Sequence, residues 1–474
     1  MNKPLFLSAC LIAALIFTLI IYIMGVRTSA YPYKTSADYN YDFTKTDAQI
    51  FKLQLHDSKF KTPVLGKDSY SAFLKLKIES TFLGRFFEPE AQLISESEQN
   101  HIFEYFENGA SGIRYINISP LISKFESEYQ IEIKGKRAIF KDQTLELILF
   151  KNQDITRSKI LIIAPHPDDA EIAAFGLYSS SNRFNNSQNI YIITITAGDA
   201  GTYQYDEIYS NKESHFIKKG KLRTWNSLTV PLLGGVPPEN IINLGFFDGT
   251  LQKMFENNPN RVKALYTQIS DINFFREQNT SELANTLEGE ASWNSLVKNL
   301  MNLIIKIEPD IIVSPYPAID KHPDHKFSSI ALFDSIKMAA TRQSSSHDIR
   351  RGYLYLYTNH LVLNEYYPYG KMGSVISLPP AFDSAIYFKA IYSHYLSEDT
   401  QNEKILSLEA MNDLRLDTSW RFSIGAIKMA IASVKRDIMG KNVSYYRRAV
   451  RSNELFFVIP ISDIYNQAVV DKIR

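Results

Sequence analysis

The chain has 474 residues, 45% of them apolar and 22% charged; these are ordinary globular proportions that exclude global disorder, and the length predicts more than one domain. Lys and Arg number 52 against 51 Asp and Glu, so no net field draws in a polyanion, which argues against nucleic acid as a partner. Cys10 is the only cysteine, which excludes an internal disulfide and a cysteine-ligated zinc, so any metal must sit on histidines and carboxylates.

The first predicted element is "LFLSACLIAALIFTLIIYIM" (5–24), a continuously apolar run of about 20 residues, long enough as a helix to cross a hydrocarbon core. It predicts an N-terminal transmembrane helix within an anchor of residues 1–28. The small residues of "RTSA" (27–30) make signal cleavage the rival reading, while too few apolar residues precede Cys10 for "LSAC" to act as a lipidation box. Lys3, Arg27 and Lys34 leave charge-based orientation undecided. A single leading helix before a large polar body predicts a single-pass protein of the bacterial inner membrane with a periplasmic body, a cytoplasmic face being the alternative. Residues 29–48, polar and Tyr-rich, read as a linker.

From 49 to 154 the pattern becomes short alternating runs, such as "AFLKLKIES", "IRYINI" and "YQIEIKG", separated by turn-prone residues. Period two over such lengths predicts strands with one wet face, and this many strands without a long helix predict a small β-sandwich-like accessory domain. Its expected role is a spacer, the alternatives being simple packing against the catalytic domain and, more specifically, sugar binding.

After 155 the grammar changes, and 155–474 reads as one α/β domain with a C-terminal extension. "SKILIIAP" (158–165), "NIYIITITAG" (189–198) and "DIIVSP" (310–315) are runs of the kind buried on both faces, with room for crossover helices between them. This predicts a Rossmann-like, mostly parallel sheet. "WNSLVKNLMNLIIKIEP" (293–309) and "HKFSSIALFDSIKMAA" (325–340) read as helices, and 257–292 as a surface excursion. "YLYLYTNHLVL" (353–363) and "ELFFVIP" (454–460) read as further strands, and "FSIGAIKMAIASVKRDI" (422–438) as a helix.

Sites in open α/β sheets collect beyond the carboxyl ends of strands, and two histidine motifs fall there. In "PHPDDAE", His166 and Asp169 are three apart where a strand turns into a helix; "DKHPDH" (320–325) supplies His325 after another buried strand. Together they make a candidate His2Asp metal site with an open position for water. Asp168 then stands beside the metal as a general base, and His322 faces the reacting carbonyl as an oxyanion stabiliser or acid. Asp324 would orient an imidazole through its second N–H. Such an arrangement hydrolyses an amide or ester through a tetrahedral intermediate.

These motifs give the segment 157–345 a resemblance to the LmbE-like (PIG-L) zinc-dependent N-acetylglucosaminyl deacetylases. The first motif matches (A/P)HPDD followed by Glu, and the second matches HPDH after a Pro-containing loop. The resemblance implies a single catalytic Zn2+ on His166, Asp169 and His325, with Asp168 as base and His322, supported by Asp324, as the stabilising histidine. "ITAGDAG" (195–201) is similar to the family's pocket loop, while "LRTWNSL" (222–228) and "NLGFFDGTL" (243–251) nominate Arg223 and Asp248 for sugar hydroxyls. One departure is Asn226, where the family commonly has Glu.

The expected function is hydrolysis of the N-acetyl group of an N-acetylhexosamine, with N-acetylglucosamine first choice. An anchored enzyme would find it in an envelope glycan, lipopolysaccharide, exopolysaccharide or lipid-linked sugar. The alternatives are a metal-dependent amidase or esterase for a non-sugar acyl group, and an inactive membrane-tethered glycan-binding protein.

Overall fold

A computed structural model of the chain describes residues 12, 14–16, 35–95, 100–122, 124–183, 187–201, 208–320, 322–342, 348–359, 367–380, 384, 386–411 and 445–465. Ten short strands come first: β1 (Gln49–Leu55), β2 (Lys59–Lys61), β3 (Gly66–Ser80), β4 (Glu90–Ser95), β5 (His101–Tyr105), β6 (Ser111–Asn117), β7 (Lys124–Phe125), β8 (Gln130–Lys136), β9 (Ala138–Ile139) and β10 (Gln143–Lys151). They form two antiparallel sheets, one ordered β1-β10-β3-β6 with β7 and β9 also on β3, the other β2-β8-β4-β5. Alternation in sequence becomes alternation in burial: along β4 Ala91, Leu93 and Ser95 are buried between half-buried neighbours. A shared apolar cluster that includes Leu74, Leu76, Leu93, Ile131 and Leu147 lies between the sheets.

The second half of the chain builds a seven-stranded sheet from β11 (Ile160–Ala164), β12 (Ile190–Thr196), β13 (Ile241–Phe246), β14 (Ile311–Pro315), β15 (Tyr353–Tyr357), β16 (Ala390–Tyr395) and β17 (Asn453–Pro460), in the order β13-β12-β11-β14-β15-β17-β16. Its helices are α1 (Asp169–Arg183), α2 (Lys212–Thr229), α3 (Leu251–Glu256), α4 (Asn273–Arg276), α5 (Trp293–Ile307), α6 (Pro323–Arg342), α7 (Glu398–Ala410) and α8 (Tyr445–Ala449). Every residue of β11, β13 and β14 is buried, as strands covered by helices on both faces must be. Side-chain caps start three of the helices: Asn211 accepts from the Ser214 N–H before α2, Ser292 from the Ser295 N–H before α5, and Ser397 from the Thr400 N–H before α7.

Two expectations about the fold are corrected. The sheets are not mostly parallel: β13, β12, β11, β14 and β15 run parallel, but β17 pairs antiparallel with both β15 and β16, and the ladders of the first two sheets are all antiparallel. The parallel run ends where crossover helices cease to link neighbouring strands, because β17 enters the sheet between β15 and β16 after the chain has passed through α7 and α8. The transmembrane expectation is also overturned. Among the described residues no helix is long and apolar enough to cross a membrane, and most of 5–24 lies outside them. The inner-membrane partner and the periplasmic address rested on that helix and are withdrawn with it.

The helix expected over 422–438 also lies outside the described residues. The excursion at 257–292 is mostly exposed or half-buried, and is anchored inward by Ile272 and Phe275, which are fully buried. Part of the expected linker packs inward: Tyr39, Tyr41 and Phe43 are buried in a cluster that also holds Phe73 and Phe150 of the first sheet and Leu161, Phe388 and Phe457 of the second half.

Candidate metal centre

The carboxyl ends of β11 and β14 lie side by side, because Ile160 pairs with Ile311 and Ile162 with Val313. Just beyond them the two histidine motifs meet. After β11 the chain turns through Pro165–Asp168, and Asp169 opens α1 with its carboxylate accepting the His166 backbone N–H at 2.9 Å. After β14, Pro323 occupies the first position of α6, where its fixed φ suits a helix start and its missing N–H is no loss. Asp324 and His325 follow in that first turn, buried.

Three atoms converge there. His166 Nδ1 lies 3.2 Å from Asp169 Oδ2, His325 Nε2 lies 3.1 Å from the same oxygen, and the two ring nitrogens are 3.2 Å apart. The outer nitrogens are already committed: His325 Nδ1 is 3.0 Å from Asp320 Oδ2, and His166 Nε2 is 3.2 Å from Asp248 Oδ1 and 3.4 Å from Asp324 Oδ2. With each outer nitrogen donating to a carboxylate, the neutral forms of the two rings would present the lone pairs of their inner nitrogens to each other and to Asp169. Such a triangle is repulsive unless positive charge fills it. Ligand atoms about 2.0–2.2 Å from a zinc-type ion stand roughly 3.0–3.5 Å apart, so the donor set fits a divalent cation by chemistry and spacing alike.

The surrounding charge points the same way. Burial works against protonation of His325, but Asp169 and Asp320 outweigh it and lift the imidazole to about 10. His166 is likewise raised, Asp248, Asp169 and Asp324 overcoming burial. Burial would raise Asp169 and Asp248, yet the facing imidazoles, and for Asp248 also Arg223, hold both well below the usual carboxylate range. The pocket is built to stabilise positive charge at its centre.

The remaining predicted residues gather round this triangle. Asp168 is half-buried beside it, and Arg223 reaches from α2 to within 3.3 Å of its Oδ1. The other guanidinium nitrogen lies 3.8 Å from Asp248 Oδ2, so Arg223 bridges the two carboxylates. Gly198 explains the "TAGDAG" loop: it adopts φ of +67°, and a Cβ there would come within 2.5 Å of Arg223 Nη1. The His322 ring sits 4.8 Å from both His166 and His325, measured between centroids. Asp324 faces His166 rather than His322, and accepts the Gly249 and Leu251 N–H groups at 2.6 and 3.2 Å, tying the 247–251 loop to α6. Asp248, nominated for a sugar hydroxyl, is placed against His166.

Three residues at the site were not singled out from sequence. Asp320 stands within "DKHPDH" itself and holds both the His325 ring and, through its other oxygen, the His322 N–H at 3.1 Å. Asn359, just past β15, donates from Nδ2 to Asp169 Oδ1 at 2.8 Å and from its backbone N–H to Asp320 Oδ2 at 3.0 Å. Asp199 accepts the Asp248 N–H at 2.8 Å and is pushed up to about 7 by burial. The strand-end rule that found the histidines points to Asn359 as well.

Residues 161–334 match the family model described as PIG-L: GlcNAc-PI de-N-acetylase. Over this segment the chain belongs to the PIG-L/LmbE-like deacetylase superfamily. No curated protein matches the chain. Similar solved structures include an N,N'-diacetylchitobiose deacetylase from Pyrococcus horikoshii, at 16% identity over 65% of this chain and 86% of that one, with a TM-score of 0.33. A deacetylase of the A40926 pseudoaglycone is similar at 14% identity over 64% and 98%, TM-score 0.32. A 4-carboxy-2-hydroxymuconate hydratase from Pseudomonas putida KT2440 is similar at 10% identity over 63% and 95%, TM-score 0.32. The PIG-L segment is that of a metal-dependent, deacetylase-type hydrolase, with clustered histidines and aspartates suited to a zinc-type ion.

Proposed function

We propose that the protein removes the N-acetyl group from an N-acetylhexosamine unit, N-acetylglucosamine first, within a glycan. The observation that carries this reading is the triangle of His166 Nδ1, Asp169 Oδ2 and His325 Nε2 with Asp168 at its side. The family description, which names a GlcNAc de-N-acetylase, supports the choice of sugar amide over other acyl groups.

His166, Asp169 and His325 would hold the metal. When bound, such a cation polarises an acyl oxygen and makes water a better nucleophile at neutral pH. Asp168 takes the proton from the attacking water at its carboxylate, whose Oδ1 is held by Arg223 at 3.3 Å. The C–N bond breaks as the amide nitrogen gains a proton, and acetate and a free amine result. His322, its ring 4.8 Å from that of His166 between centroids, stabilises negative charge on the acyl oxygen and delivers that proton. Asp324 and Asp248 keep the His166 ring fixed throughout.

The test is acetate release from N-acetylglucosamine oligosaccharides by zinc-loaded protein. Asp168→Asn should lower kcat/KM by roughly 100- to 10,000-fold while metal content stays at one per chain. Undiminished activity in that variant, or activity that survives complete chelation, would sink the assignment.

A further inference from the structure

Away from the metal centre the surface carries an open groove of about 370 Å³. That volume lies within the range of small-ligand sites. Asn100, Ser119, Glu126 and Tyr129 from loops of the first half and Lys124 of β7 contribute polar groups to its wall, the loop residues 120–122 add apolar ones, and Tyr395 stands at the end of β16. None of these lies in the segment 161–334 that matches the family model.

The lining discriminates between ligand classes. Lys124 and Glu126 carry opposite charges, so the groove has no net field to hold a phosphate or a polycation. Amide, hydroxyl, ammonium and carboxylate groups together supply donors and acceptors, as a polyhydroxylated ligand requires. Tyr395 is 55% exposed, an open aromatic ring beside these polar groups. Its face offers an apolar platform for the C–H side of a sugar ring, while its hydroxyl stays wet.

Position adds the second argument. β16 is antiparallel to β17, which is antiparallel to β15, so β16 runs with β11, β14 and β15. Tyr395 therefore ends its strand at the same edge of the sheet where His166, Asp320 and Asn359 follow theirs. β16 stands three strand spacings from β14 and four from β11, so the groove and the metal centre are separated by about 15–20 Å along one edge.

We infer that this groove is a distal subsite for an uncharged oligosaccharide, which lets the protein hold a glycan chain at one point while a unit further along reaches the metal. The inference rests on the deacetylase reading above for its kinetic consequence, but not for binding itself.

Two measurements separate the readings. In the zinc-loaded full chain, kcat/KM for a tetramer of N-acetylglucosamine should exceed that for the monosaccharide, and Tyr395→Ala should cut the ratio roughly tenfold. Tyr395→Trp, which keeps an aromatic face, should restore it, and Leu233→Ala, exposed elsewhere on the surface, should leave it as found. A ratio unmoved by Tyr395→Ala would overturn the subsite. Calorimetry on the Asp168→Asn chain with the same tetramer reads binding without turnover. Binding that Tyr395→Ala weakens supports the groove even if no sugar is deacetylated, an outcome that would defeat only the proposed reaction. Absence of tetramer binding to the Asp168→Asn chain would overturn the groove, whatever the fate of the chemistry.

Discussion

Asp320 is fully buried at its side chain and spends its two oxygens on three neighbours: the His325 ring, the His322 N–H and the Asn359 N–H. Its main effect is on His325, whose Nδ1 proton it holds so that Nε2 faces the triangle as a lone pair. Partners of this kind typically govern metal affinity by 10- to 100-fold, so Asp320→Ala should weaken zinc binding by about that factor in a chelator competition. Unchanged affinity would mean that the contact serves packing alone. At this scale the sequence was largely readable. His166, Asp168, Asp169 and His325 are legible because each motif is bracketed by a buried apolar strand and a helix start, and those two elements together fix where the side chains lie. Asp248 and Asp324 were legible as site residues but not in their orientation, since which ring a carboxylate serves depends on how loops from three strands meet. Asn359 follows a strand end and so could be suspected, but its pairing with Asp169 could not be read, because the two lie 190 residues apart.

Among the elements, α1 holds an irregularity that its sequence does not announce. The stretch between β11 and β12 reads only as room for a crossover helix, and in the helix found there Ala174 has φ −142° and ψ 16°, which breaks the ladder five residues after Asp169. The groups freed by the break are satisfied from elsewhere in the chain: Lys404 Nζ donates to the Ile172 carbonyl at 2.8 Å, and Glu454 accepts the Gly176 and Leu177 N–H groups at 2.8 and 2.9 Å. Lys404 and Glu454 also pair with each other at 2.8 Å, each with only 1% of its side chain exposed. The kink thus has an identifiable cause, and its consequence is that the first turn, which carries Asp169, is aimed independently of the rest of the helix. Nothing within 169–183 encodes this, because the causative charges sit on α7 and β17. Glu454→Ala would leave a buried ammonium and two buried N–H groups unpaired, and should destabilise the fold by about 3–5 kcal/mol in denaturant unfolding. The double change Lys404→Met with Glu454→Gln removes both charges and should recover much of that loss. If Glu454→Ala unfolds at the wild-type midpoint, the pair contributes nothing to holding the kink.

For the whole molecule, sequence pattern suggested two bodies on a polar tether, but the packing joins them. Tyr41 and Phe43, in the expected linker, share one cluster with Phe150 and Phe388, and the Tyr41 hydroxyl donates to the Pro379 carbonyl at 2.5 Å. Asn117 on β6 donates to Ser393 on β16 at 2.9 Å. Alternation along a strand shows that one face is buried but not what buries it, so a wall formed by residues so distant in the chain could not be read. With a common core, residues 49–154 and 155–465 should unfold in a single transition reported alike by calorimetry and by tryptophan fluorescence, all three tryptophans lying in the second half. Two separated transitions would restore the picture of independent bodies. The same seam predicts a pH dependence. Glu104 on β5 is buried against Ser377, to which it is hydrogen-bonded; burial, only partly offset by Ser377 and Arg451, pushes its carboxyl from 4.5 up to about 8. An acid whose folded pKa exceeds its unfolded one stabilises the fold fully below the unfolded value, and that contribution is lost as pH rises through the folded one. Between about pH 5 and 8 Glu104 therefore makes the protein less stable as pH rises, by up to roughly 1.4 kcal/mol per pH unit. Glu104→Gln keeps a group of the same shape at the seam and removes the proton, so stability curves measured at pH 5, 6.5 and 8 should be shallower by up to that slope. Parallel curves for the two proteins would show that Glu104 is ionised in the fold, and that the seam tolerates a buried carboxylate.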